Sequence, residues 1–143
     1  MIKQNDMRLR SPIRQYGCYF MSLLWHINRY TNTPLSVQRI NSSIYHGAVQ
    51  QGFMTSNCYV QDPTGFCQWL GWDAVYTGKH EKPDYICGPN EAEILLFKHD
   101  KAGDHFVAGD GKGNVTYDPW YHERGGSLCA SEGVLVSKRI FKF

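Results

Sequence analysis

A chain of 143 residues with 42% hydrophobic and 20% charged side chains is long enough for one ordinary core, too short for two domains, and not of disordered composition. A net charge of +2 is too small to make nucleic-acid binding the default, and no run approaches the ~18 apolar residues that would insert into a membrane. Residues 1–10 carry no apolar stretch of the secretory kind, so the expectation is one cytoplasmic domain over residues 1–143 with reduced thiols.

Residues 1–11 are polar and read as a loose arm or short edge strand, with Pro12 biasing Ser11 toward extended backbone. From Cys18 to Tyr30, apolar Phe20, Met21, Leu24 and Ile27 recur at helical spacing, and Leu23 and Trp25 add apolar surface on other sides. That pattern predicts a helix buried on most faces, ended at Asn32 to Pro34. Ser36 to Tyr45 predicts a second helix, capped by Ser36, with Val37, Ile40 and Ile44 inward and Gly47 as its C-cap. Asp62-Pro63 opens a third, which Gly71 stops.

Beyond this point the pattern turns to strands. Asp73 to Thr77 is strand-like, 78–84 is a polar loop, and Ile94 to Lys98 is a buried strand. His105 to Gly109 and Val115 to Asp118 flank a Gly-rich turn of hairpin type, and Val134 to Phe143 closes the sheet. Helices first and antiparallel strands after is the α+β pattern.

The five cysteines are Cys18, Cys58, Cys67, Cys87 and Cys129, an odd number without a C-x-x-C pair. No metal site and no cofactor is expected, and all but Cys18 read as small core residues. Cys18 differs because it opens a helix, where the first N–H groups and the helix dipole favour a thiolate and can hold an oxyanion. A hairpin turn centred between Gly111 and Lys112 sets His105 directly opposite Asp118. Asp118 then orients one ring nitrogen and leaves the other for a thiol. Gln15, three residues before Cys18, is the candidate second oxyanion donor, and Trp120 is a candidate cleft wall or a hairpin-end packing residue. Asp104 points away from the neighbouring His105, and His26 reads as a structural histidine.

The segment Gly103 to Trp120, GDHFVAGDGKGNVTYDPW, resembles the histidine hairpin of papain-superfamily cysteine peptidases, nearest the bacteriocin-processing-peptidase-like branch. Gln15 to Tyr30, QYGCYFMSLLWHINRY, resembles the nucleophile helix of that group, and the order Cys, His, Asp agrees. The two stretches cover about a quarter of the chain. The resemblance implies a papain-like fold, N-terminal helices packed on a C-terminal antiparallel sheet. It also implies Cys18 as nucleophile, His105 as general base and Asp118 as orienter. The family's oxyanion glutamine usually lies about six residues before the cysteine; Pro12 stands there, and Gln15 is the nearest glutamine.

Two functions follow as expectations. One is a cysteine peptidase or amidase acting through a Cys18 thioester on a peptide, isopeptide or amide, with a peptide or protein substrate as its partner. The other is a weak or inactive domain of the same fold that binds a peptide or protein, of the kind a phage or mobile element could encode.

Overall fold

A computed structural model describes residues 1–123 and 125–143. Helix α1 (Ser11–Tyr16) comes where an extended segment is expected. Pro12 falls in its first turn, where a missing N–H costs no hydrogen bond, so the proline starts the helix instead of preventing it. Gly17 joins α1 to α2 (Cys18–Thr31) without a loop. A Cβ at Gly17 would run into the carbonyl oxygen of Ile13, so the close junction requires glycine.

Helix α2 is the centre of the core. Phe20, Met21, Leu23, Leu24 and Ile27 are fully buried, as the all-round apolar pattern predicts. Their burial contributes on the order of 10 kcal/mol before chain entropy is set against it. Asn32 ends the helix in the left-handed conformation.

Ser36 caps α3 (Val37–Arg39) as expected, accepting a hydrogen bond from the Arg39 N–H at 3.1 Å. The helix then continues through a π-helical turn (Ile40–Ile44) into α4 (Tyr45–Gln50). Gly47 lies inside α4, which is capped at Gln51 instead; the Trp69 ring lies where a Gly47 Cβ would be, so the close packing there favours glycine. Helix α5 (Pro63–Trp69) starts at the predicted Asp62 cap.

The strands are β1 (Val75–His80), β2 (Glu91–His99), β3 (Gly103–Gly109), β4 (Val115–Tyr117) and β5 (Val134–Lys142). They form one antiparallel sheet in the order β1-β5-β2-β3-β4, so the architecture is α+β. The C-terminal strand does not close an edge but sits between β1 and β2. A short helix that the sequence reading missed, α6 (Leu128–Glu132), packs against β2, β3 and β5.

Residues 92–97 of β2 are buried without alternation, because both faces of the strand are covered. Ile94 belongs to the core around α2, while Leu95 and Phe97 pack with Val107 and Cys129. The same strand carries Glu93, fully buried and paired with the fully buried Lys138 at 3.0 Å. Glu93 Oε2 also accepts the N–H groups of Gly111 (3.0 Å) and Gly113 (2.8 Å). Both glycines have positive φ, and the carboxylate fixes the β3–β4 turn from inside.

Among the described residues, no helix is long and apolar enough to cross a membrane.

Candidate active site

Cys18 is the first residue of α2, so its backbone N–H has no acceptor within that helix. The thiol is half-buried and lines a cleft of about 340 Å³ together with His105, Gln4, Gln15, Trp120 and Leu128. His105 and Asp118 are buried, and His105 Nε2 lies 2.7 Å from Asp118 Oδ1. That contact leaves Nδ1 for the thiol. Cys18 is near enough that both its charge and its hydrogen-bonding capacity act on the imidazole.

Burial alone would push the His105 pKa down. Hydrogen bonds to Asp118 and Cys18, with the charges of both, reverse that and raise it to about 9. Asp118 is held below its ordinary range: burial opposes ionisation, but the bond from His105 and three further donors overcome it. Those donors are the Trp120 N–H at 2.9 Å and the Ser127 N–H and hydroxyl, each at 2.7 Å. A carboxylate that accepts four hydrogen bonds stays ionised and stationary, as an orienter must.

The expected pair forms, but not by the expected register. The strands align Ala108 with Tyr117 and Gly109 with Val115, and a bulge absorbs Thr116. Asp118 therefore lies one residue past β4 instead of opposite His105. It reaches the imidazole because the chain turns at Asp118-Pro119, with the Trp120 N–H closing back onto the carboxylate.

Gln15 lines the cleft but is exposed, its amide donating to Ser11 Oγ at 3.2 Å. The sequence reading missed Gln4. This residue is buried, lines the same cleft, and donates one Nε2 hydrogen to the Arg14 carbonyl at 3.1 Å. Its Oε1 has no hydrogen-bond partner among the described residues. A primary amide carries a second Nε2 hydrogen, which Arg14 does not use.

The arm that holds Gln4 is not loose. The Gln4 N–H bonds the Pro119 carbonyl at 2.7 Å, Lys3 Nζ bonds the Asp118 carbonyl at 2.7 Å, and Asn5 exchanges hydrogen bonds with the Tyr121 backbone. Residues 3–5 thus brace the loop that carries Asp118. Ser127 was also missed; it supports Asp118 while capping α6.

The remaining candidates are structural in setting. His26 is buried with Nε2 at 2.8 Å from the Glu93 carbonyl, and burial pushes its pKa down to about 4. Asp104 is exposed, as expected. Cys58, Cys67 and Cys129 are buried and Cys87 is half-buried, all as free thiols. Burial pushes the Cys58 and Cys87 thiols up to about 12. Trp120 is more than a third exposed and stands in the cleft wall. Among the described residues, no group of three or more His, Cys, Asp or Glu side chains is placed to hold a metal ion.

The full length, residues 1–143, matches the family model described as "Protein of unknown function, DUF261". The chain belongs to the DUF261 family. No curated protein and no solved structure matches it. What this member of the DUF261 family can do must therefore be argued from its side chains. The cleft brings together a thiol at a helix start, a histidine held by an ionised carboxylate, and a buried amide with an unused N–H. This set can accept a thiol proton, return it, and donate to an oxygen that becomes negative.

Proposed function

We propose that this protein is a cysteine peptidase or amidase of papain-like fold that works by acyl transfer through Cys18. The observation that carries the reading is the His105 ring, bonded through Nε2 to buried Asp118 and acted on by Cys18 in the same cleft. His105, its pKa raised to about 9, already holds on Nδ1 the proton taken from Cys18 when the sulfur bonds to a substrate carbonyl carbon. The carbonyl oxygen becomes an oxyanion, which the Cys18 N–H and the free Gln4 Nε2 hydrogen hold. The carbon–nitrogen bond then breaks, and His105 returns its proton to the leaving amine. Water, deprotonated by His105, attacks the thioester and frees the acid and the thiol.

In this reading Gln4, rather than Gln15, is the oxyanion donor. Gln4 is buried with an N–H to spare, whereas Gln15 is exposed and bonded to Ser11. The N-terminal arm reaches the cleft from farther along the chain than the family's spacing suggests, with α1 occupying the intervening residues.

The test uses p-nitrophenyl acetate as a general acyl donor. A burst of p-nitrophenol with one acetyl group mapped to Cys18, absent in Cys18→Ser and His105→Ala, supports the reading. Acetylation spread over lysines without a burst overturns it and favours the binding-domain function.

A further inference from the structure

Cys18 lines two cavities. One is the cleft of about 340 Å³ with His105, Gln4 and Trp120. The other, about 470 Å³, is also lined by Cys18 but not by His105. Its walls are the rings of Tyr19, Tyr59, Tyr76 and Phe106, with Arg139 among them. The volume is within the range of small-molecule and side-chain sites, about 300–1,000 Å³.

The roles of the two cavities follow from where the proton must go, and this step rests on the acyl-transfer reading above. His105 protonates the leaving amine, so the leaving group occupies the cleft that His105 lines. The acyl portion must then extend into the aromatic cavity.

Arg139 decides what that acyl portion carries. Its guanidinium lies over the Phe106 ring at 4.9 Å from the centroid, and Nη1 donates to Ser137 Oγ at 2.5 Å. It forms no ion pair among the described residues. Lys79, also lining the cavity, is exposed and paired with Glu81 at 2.9 Å. A half-buried guanidinium stacked on a ring keeps its planar orientation and most of its donors free, which is the geometry that a carboxylate takes in bidentate fashion.

We propose that the aromatic cavity beside Cys18 is a specificity site for an acidic side chain on the acyl side of the scissile bond, held by Arg139. The substrate is a peptide or amide with a glutamate or aspartate there. The rings cover its methylene stem and the flanking backbone, and Arg139 takes the carboxylate.

Two peptidyl chloromethyl ketones that differ only in Glu or Gln two residues before the ketone test this. In each, the Cys18 sulfur bonds to the methylene carbon and chloride leaves. The Glu probe should inactivate about tenfold faster than the Gln probe. Arg139→Gln should level the two, and Arg139→Lys should keep part of the preference. Iodoacetamide, too small to reach the cavity while it reacts, should label Cys18 equally in all these proteins.

The same peptides as methyl ketones, titrated calorimetrically into Cys18→Ala, read the cavity without the thiol. The Glu peptide should bind about tenfold more tightly. Equal rates and equal affinities for Glu and Gln overturn the proposal, whatever iodoacetamide does. Selective Glu binding with an unreactive Cys18 keeps the cavity and overturns the acyl-transfer reading instead.

Discussion

Replacing Asp118 by asparagine changes one oxygen to an amide nitrogen and nothing in size. The hydrogen bonds around it should make that exchange severe. Oδ1 accepts from His105 Nε2 and the Trp120 N–H, and Oδ2 accepts from the Ser127 N–H and hydroxyl. Whichever way the new amide turns, its NH2 meets a backbone N–H that cannot reverse, that of Trp120 or of Ser127. One charge-assisted bond is lost, about 1.5–3 kcal/mol, and a buried donor is orphaned, about 1–3 kcal/mol. Because the two overlap, a loss of about 3 kcal/mol is expected, a large share of the ~5–15 kcal/mol that holds a domain together. Urea unfolding at pH 7 measures it, with an unchanged m-value showing that the denatured state is not responsible. The Asp118 pKa is lowered in the native state, so its stabilisation is present above about pH 4 and is lost as pH falls through the native value. The gap between wild type and Asp118→Asn should therefore narrow in acid. A variant within about 0.5 kcal/mol of wild type at pH 7 would refute the four-donor account.

Other changes have equally definite outcomes. Gln4→Ala should slow acyl transfer by about 100- to 1000-fold while leaving Cys18 alkylation nearly unchanged, and Gln15→Ala should do neither; ester turnover beside iodoacetamide rates separates them. The native pKa of His105 is raised to about 9, so its stabilisation is full below about pH 6.5 and is lost as pH rises through 9. That of His26 is lowered to about 4, so its stabilisation is full above about pH 6.5 and is lost as pH falls toward 4. Unfolding free energy followed against pH should fall on both sides of this point, and His105→Ala should flatten only the alkaline limb. Glu93→Ala strands Lys138 in the interior and two glycine N–H groups in the hairpin turn, and should cost about 3–5 kcal/mol in urea unfolding.

Local rules carried the sequence reading as far as they apply. The periodicity of Cys18 to Tyr30 and the caps at Ser36 and Asp62 depend on neighbours within a few residues, and these elements are where that pattern puts them. The hairpin that brings His105 to Asp118 was legible as a hairpin, but its register was not. The bulge at Thr116 adjoins a turn packed from outside the hairpin, where Glu93, on another strand, holds the N–H groups of Gly111 and Gly113. Gln4 was illegible for the same reason at longer range. Residues 1–10 lack periodicity, and they are ordered largely by partners distant in the chain, residues 117–121 and Asn41. Gly47 looked like a helix stop because its real constraint, the Trp69 ring, is a tertiary contact.

The most direct test of acyl transfer at Cys18 is iodoacetamide alkylation across pH, with each modified cysteine mapped by mass spectrometry. At about pH 6 an isolated thiol, with a pKa near ~8.5, is almost wholly protonated and reacts slowly. The expected result is that Cys18 alone of the five cysteines reacts quickly there. Its advantage should persist until pH approaches about 9, where His105 loses its proton, and His105→Ala should remove it. If Cys18 reacts no faster than Cys87 and only in alkali, and His105→Ala changes nothing, the thiol and the imidazole do not act as a pair, and the account of this cleft as a site of acyl transfer is wrong.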